Sequence, residues 1–134
     1  MEINYPLQVK KSQIDGLGAF ALNVIPPHKN LGNLGGEIIT KKEARKRVAK
    51  TKRITMVEFD DGTALDGSIN PNDLRYINHS CSPNTYMRRC YHKVEFCSLR
   101  TIKQSEELTC DYGETHHDGK LKCRCGAQNC KSFL

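Results

Sequence analysis

No apolar run in this chain approaches the roughly 18 residues that a membrane-spanning helix needs, so a helical membrane span is excluded. The first residues, Met1-Glu2-Ile3-Asn4-Tyr5-Pro6, lack the charged-then-apolar layout of a secretory signal. There is no internal repeat and no low-complexity block. The five prolines and ten glycines are scattered, so no stretch reads as a linker. What remains is a chain of 134 residues, one domain of ordinary size, 37% apolar and 27% charged. The expectation is an intracellular soluble protein, complete as given, nuclear in a eukaryote and cytoplasmic in a bacterium.

What the chain does have is cysteine. Seven is many for this length, and the number is odd. In a secreted protein that would suggest disulfides with a thiol left over. Without a signal, and with thiols at close spacing, metal is the better reading. Cys123-x-Cys125-x4-Cys130 supplies three ligands of a tetrahedral zinc site. The fourth could be Cys81, or His116 or His117, which lie nearer in sequence. Cys90 and Cys97 are expected to be small buried strand residues.

The net charge of +6 is also uneven. Residues 41–53 (KKEARKRVAKTKR) hold eight Lys or Arg against one Glu, and the remainder of the chain is nearly neutral. Such a segment is either a solvated helix face or a dock for nucleic acid or an acidic protein surface.

The pattern along the chain is one of short strands. Leu7 to Lys10 alternates, and Asp15-Gly16-Leu17-Gly18 turns into the apolar run Ala19 to Leu22. Glu37-Ile38-Ile39 follows a glycine pair. Thr40 with Glu43 forms a capping box that opens a helix over 41–52. Ile54 to Phe59 and Ala64-Leu65 flank a turn at Asp60-Asp61-Gly62-Thr63. Asn70-Pro71 is read as a helix start, Asn capping and Pro at the first helical position. Val94 to Leu99 and Leu108 to Cys110 are further strands. The tail after Gly113 has too little apolar content to fold without metal. The sum is a strand-dominated α+β domain with two short helices, and its scarce helix argues against a Rossmann-type sheet.

Several motifs could carry chemistry, and each is bland alone. Gly16-Leu17-Gly18 could be an ordinary hairpin turn; it lacks the third glycine and following helix of a dinucleotide site. Asn78-His79 could simply satisfy backbone groups. Asp111-Tyr112-Gly113 could be an edge aromatic. Together the pieces are specific. Gly16-Leu17-Gly18-Ala19-Phe20-Ala21, Gly36-Glu37-Ile38-Ile39-Thr40, Arg75-Tyr76-Ile77-Asn78-His79-Ser80-Cys81-Ser82-Pro83-Asn84 and Glu107-Leu108-Thr109-Cys110-Asp111-Tyr112-Gly113, with the terminal cysteines, stand in the order seen in SET-domain protein lysine methyltransferases. The chain resembles a minimal SET protein from about residue 7 to 134, with no room upstream for a cysteine-rich pre-SET region.

The resemblance implies a SET domain over residues 1–114 and a post-SET zinc-binding segment over 115–134 that does not fold alone. It implies a threaded C-terminal segment that brings the Asn78 and Tyr112 strands side by side. Asp15, Gly16, Leu17 and Gly18 would contact S-adenosylmethionine through backbone atoms. Asn78 and His79 would bind its amino-acid and adenine parts, with Arg75 in support. Tyr112 would be the active-site tyrosine, touching cofactor and substrate. Cys81, Cys123, Cys125 and Cys130 would hold zinc. Leu121, Phe133 and Leu134 could cover the cofactor and wall the substrate channel.

This chain departs from the family pattern at three places. Leu34 stands where a channel-lining Tyr is usual, Leu17 where an aromatic is common between the glycines, and Cys110 where Phe or Tyr is common two before the active-site tyrosine. A channel lined by Leu34, Cys110 and Tyr112 would be wider or less polar, and the small Cys110 leans towards di- or trimethylation. The expected activity is methyl transfer to a lysine amine of a histone-like or other basic protein. Two alternatives are a non-catalytic SET-like peptide-binding module and a zinc-dependent nucleic-acid-binding protein.

Overall fold

A computed structural model gives the architecture and describes residues 3–49, 56–111 and 127–130. In chain order come β1 (Leu7–Lys11), β2 (Leu17–Ala21), β3 (Asn30–Asn33), β4 (Glu37–Thr40) and helix α1 (Lys41–Val48). Then follow β5 (Met56–Glu58), β6 (Thr63–Asp66), a 3-10 turn (Asp73–Tyr76), β7 (Asn78–His79), β8 (Thr85–Cys90), β9 (Lys93–Ser98) and β10 (Thr109–Cys110). The expected strand-dominated α+β class is what the chain adopts.

Three small sheets share the work. β1 and β2 form an antiparallel hairpin with Leu7 opposite Ala21 and Lys11 opposite Leu17. β4, β6 and β5 form a second antiparallel sheet with β6 central. The third has five strands in the order β3-β9-β8-β10-β7. In it β10 runs parallel to both β7 and β8, placing Thr109 beside Asn78 and Cys110 beside His79. Two segments some thirty residues apart in sequence thus become neighbours along hydrogen-bonded strands.

The main core lies among these sheets. Ile25, Leu31, Leu74, Ile102 and Leu108 are essentially inaccessible, and Phe96, Leu65 and Cys110 join the same cluster. Truncating a side chain such as Leu108 to alanine costs about 2–5 kcal/mol through lost burial and a residual cavity. A smaller cluster of Ala44, Met56 and Ala64, with Ile39 and Val48 against it, seats α1 on the β4-β6-β5 sheet.

Alternation in the sheet explains how α1 attaches. Glu37, Asp66 and Glu58 share one face with Ile39, Ala64 and Met56, since each pair stands two apart on its strand. That face meets the helix. Arg47 reaches Asp66 at 2.8 Å, Glu43 at 3.2 Å and Glu37 at 3.5 Å, and Arg45 reaches Glu58 at 3.3 Å. The helix opens as the capping box foresees, with Thr40 Oγ1 accepting from the Glu43 backbone amide at 3.2 Å. Of the helix expected over 41–52, the α-helical part seen ends at Val48, and residues 50–55 lie outside those described.

Two expectations are corrected. The second helix does not start at Asn70-Pro71. Asn70 takes a left-handed φ of 50°, and only a 3-10 turn forms, from Asp73. Asn72 precedes that turn but does not cap it. Its side-chain amide donates to the Asn33 carbonyl at 2.7 Å, and its oxygen accepts from Gly35 N at 3.2 Å. A tertiary contact has taken the residue that a local cap would need. The second correction is Cys90, which is exposed at the end of β8, whereas Cys97 is buried as expected.

Candidate functional site

The first motif folds as the hairpin loop between β1 and β2. Ser12 N donates to Gly16 O at 2.8 Å, and Ser12 Oγ accepts from Ile14 N at 2.9 Å, closing a tight turn. Gly16 has φ 45°, a conformation costly for residues bearing a Cβ. Gly18 is required for space. A methyl there would collide with the Glu107 carboxylate and lie 3.0 Å from Ser12 Cβ.

Asn78 brings the second motif to this turn. Its side chain is buried, and Nδ2 donates to Asp15 O, Leu17 O and Glu107 Oε2, each at 3.1 Å. The partners lie 63, 61 and 29 residues away. Glu107 in turn accepts from Ser12 Oγ at 2.8–2.9 Å. A single part-buried network centred on the buried Asn78 therefore joins the loop of residues 12–18, β7 and the entry to β10.

The motif containing Tyr112 is anchored by a second amide. Asn84 Oδ1 accepts from Thr109 N at 2.8 Å, and Nδ2 donates to Glu107 O at 2.8 Å and Glu106 Oε2 at 3.1 Å. Thr85 Oγ1 adds a bond to Thr109 O at 2.7 Å. The bonds to Thr109 lie in buried surroundings, where an unmade bond would cost about 1–3 kcal/mol. Glu106 also pairs with Arg100, and chiefly through that guanidinium its carboxyl is held down at about 2.

His79 does not stand apart from Cys81. Its Nε2 lies 3.3 Å from Cys81 Sγ, and its Nδ1 lies 3.8 Å from Asp111 Oδ1. From the tail, Asn129 Nδ2 donates to the Cys81 carbonyl at 2.9 Å, and Cys130 N donates to Ala127 O at 3.2 Å within a turn. The turn bearing Cys130 therefore docks at Cys81. Tyr112, Cys123 and Cys125 lie outside the described residues, as do His116, His117, Leu121, Phe133 and Leu134. Among the described residues no three metal-ligating side chains converge.

Two of the three positions of departure, Cys110 and Leu34, lie on the core side. Cys110 is 1% exposed, and burial pushes its thiol up to about 12, so it is a neutral apolar filler. Leu34 is partly buried against the same cluster. Leu17 is 43% exposed at the start of β2. Arg75 lies over the ring of Tyr76 at 5.3 Å, and its Nε is buried with no hydrogen-bond partner among the described residues.

Sequence reasoning missed three side chains that hold this arrangement together: Ser12, Asn84 and Glu107. Asn84 and Glu107 fall inside the quoted motifs but had no assigned role, and Ser12 lies outside them. Their signal is weak because their tertiary partners lie between 22 and 95 residues away.

The segment that builds this geometry matches a known family. Residues 16–113 match the SET domain, and the chain belongs to that family. Among curated relatives it is 33% identical over 134 residues to "Histone-lysine N-methyltransferase trithorax" of Drosophila virilis, covering 94% of this chain and 4% of that protein. It is 34% identical over 137 residues to "Histone-lysine N-methyltransferase 2B" of Homo sapiens, covering 94% and 5%, and 32% identical over 136 residues to "Histone-lysine N-methyltransferase 2D" of Homo sapiens, covering 92% and 2%. The chain thus spans only a few per cent of the length of these relatives. No helix among the described residues is long and apolar enough to cross a membrane.

Proposed function

We propose that this domain transfers a methyl group from S-adenosylmethionine to the side-chain amine of a protein lysine. The observation that carries the reading is the Asn78 network, which fastens the Asp15–Gly18 turn to the strand pair leading to Tyr112. The names of the relatives point to histones as the substrate class. A histone substrate would in turn make the protein nuclear.

The residues fit such a cofactor. The turn offers backbone atoms, and Arg75 Nε is a buried donor with no acceptor among the described residues. An unsatisfied donor of that kind is costly, so an acceptor in a ligand or in neighbouring chain would stabilise it. Asp15, Gly16, Leu17, Gly18, Arg75, Asn78 and His79 are the proposed binding residues, with Tyr112 on the reacting side. When bound, the cofactor supplies a methyl group on a sulfonium, open to in-line attack.

The protein's own task is then alignment, which can lower a barrier by several kcal/mol. The attacking lysine must be neutral, yet a free lysine has a pKa of about 10.4. Apolar walls favour the uncharged amine. Leu34 and a Cys110 thiol held neutral by burial add no charge to such a channel. Tyr112 would orient the amine through its hydroxyl without acting as a strong base.

Zinc is proposed on Cys81, Cys123, Cys125 and Cys130. The Asn129 bond to Cys81 supports this, because it seats the Cys130 turn beside the fourth ligand. The division into residues 1–114 and a zinc-dependent 115–134 follows from the same reading. A second partner surface is proposed on α1, where Lys42 and Lys46 are exposed and show no ion pair among the described residues. An acidic protein face or nucleic acid would suit it.

Calorimetric titration with S-adenosylmethionine tests the reading, paired with a Tyr112→Phe variant. Wild-type binding, with most activity lost in Tyr112→Phe while zinc and fold are kept, is the expected result. An absence of cofactor binding would sink the enzyme reading, and binding without turnover on any lysine protein would favour the inert peptide-binding module.

A further inference from the structure

Glu107 opens the Glu107-Leu108-Thr109-Cys110 segment, and the structure gives its side chain an unusual place. One carboxylate meets three chain segments. Ser12 Oγ donates to it from the loop after β1, at 2.9 Å to Oε1 and 2.8 Å to Oε2. Asn78 Nδ2 donates to Oε2 from β7 at 3.1 Å. Gly18, at the start of β2, leaves the space that the carboxylate fills. The backbone is engaged on both sides, through a bridge between Glu107 and Phe20 and a Leu108 N to Ala19 O bond of 2.8 Å.

The arrangement has a direction. Asn78 has two amide hydrogens and three acceptors at equal distance: Asp15 O, Leu17 O and Glu107 Oε2. The carboxylate fixes the amide from one side, and the amide then fixes the two carbonyls of the turn. Ser12 closes the circuit, because its hydroxyl donates to Glu107 while accepting from Ile14 N inside the same turn. Fixing a ligand-binding loop in advance reduces the ordering cost of binding.

We propose that Glu107 is a positioning residue for the cofactor: acting through Asn78 and Ser12, it sets the conformation of the Asp15–Gly18 turn against which the cofactor binds. The proposal rests on the methyltransferase reading above. Its contribution is to cofactor affinity, and it acts by hydrogen bonding, so the negative charge itself is dispensable. Glutamine can meet the same requirement, since its oxygen accepts from Asn78 and its amide donates to Ser12 Oγ.

The test is calorimetric titration of S-adenosylmethionine into the full chain and its variants, with thermal melts alongside. Glu107→Ala should weaken binding about tenfold, the loss of one part-buried hydrogen-bonding centre. Glu107→Gln should restore most of that loss. Adding Asn78→Ala to Glu107→Ala should cost less than Asn78→Ala alone, because the part of each effect that runs through their shared bond is lost only once. Unchanged affinity in Glu107→Ala, even with a lowered melting temperature, would overturn the proposal and leave a purely structural carboxylate. Glu107→Gln binding as poorly as Glu107→Ala would also overturn it, in favour of a charge acting on the ligand directly. Should Glu107→Ala not fold, Ser12→Ala carries the test: a several-fold weaker affinity is expected, and wild-type affinity would refute the circuit. If the wild-type chain binds no cofactor, the methyltransferase reading falls and takes this proposal with it, an outcome distinct from the others.

Discussion

Asn129 donates its side-chain amide to the Cys81 carbonyl at 2.9 Å across 48 residues of sequence, and so seats the tail on the segment that carries Asn78 and His79. With His79 Nε2 only 3.3 Å from Cys81 Sγ, whatever Cys81 binds is felt at once by the proposed cofactor residues. A zinc ion held by Cys81, Cys123, Cys125 and Cys130 would therefore join the tail and the cofactor site in one equilibrium. Cys81→Ser is expected to lower zinc content, measured by atomic emission on purified protein. Stripping the metal with a chelator should weaken S-adenosylmethionine binding in the same preparation. Full zinc retention in Cys81→Ser would return the fourth ligand to His116 or His117.

Arg47 and its neighbour Lys46 should behave in opposite ways. Arg47 is committed to Asp66, Glu43 and Glu37, and Asp66 is 2% exposed. Arg47→Ala leaves that carboxylate with Ser68 as its remaining side-chain partner among the described residues and should cost about 1–3 kcal/mol in urea denaturation. Lys46 is exposed, and Lys46→Glu should be close to neutral in the same experiment.

The proposed docking role of α1 then needs its own variant. Reversing Lys42 and Lys46 together spares the Arg47 network. Substrate binding should weaken, and the wild-type advantage should shrink as salt rises through the Debye regime. Steady-state kinetics at two ionic strengths reads this directly. Identical salt dependence in both proteins would retire the basic surface.

The Glu106 carboxyl, held at about 2 by Arg100 and opposed by partial burial, lies well below its ordinary 4.5. A depressed pKa means the unfolded chain binds the proton first. The stability it contributes is present above pH 4.5 and is lost as pH falls through about 2. Because Glu106 also accepts from Asn84, which holds β10, acid should loosen this strand. Urea titrations at pH 6 and pH 3 should show a drop in wild-type stability that is smaller in Arg100→Ala, whose Glu106 titrates nearer its ordinary range.

Thiol chemistry should separate two cysteines of similar sequence context. Cys90 is exposed at the end of β8, whereas Cys110 is 1% exposed with its thiol pushed up to about 12 by burial. Iodoacetamide on the native protein at pH 8 should label Cys90 and spare Cys110, as peptide mass spectrometry would show. Rapid labelling of Cys110 would contradict the enclosed position assigned to it.

What could be read before any coordinates was local. The Thr40–Glu43 cap, the Asp61-Gly62 turn and the alternation at Leu7 and Val9 each depend on residues within a few positions of one another, and each appears where expected. β8 was missed because Arg88, Arg89 and Tyr86 give it no apolar alternation; it is held instead by six paired residues of β9. The Asn70-Pro71 helix start failed because Asn70 takes a left-handed φ of 50° instead of the extended backbone of a cap, and Asn72 spends its side chain on Asn33 and Gly35. At the site, the motifs named the right segments, but the polar circuit through Ser12, Glu107 and Asn84 was invisible. Nothing in a linear pattern reports a hydrogen bond across 95 residues.

The most direct test of the account is transfer of a labelled methyl group from S-adenosylmethionine by the purified full chain onto histones and other lysine-rich proteins, with the modified residue located by mass spectrometry. The account predicts label on lysine side chains, lost in Tyr112→Phe. Cofactor binding without label on any lysine, or label that persists in Tyr112→Phe, would contradict it.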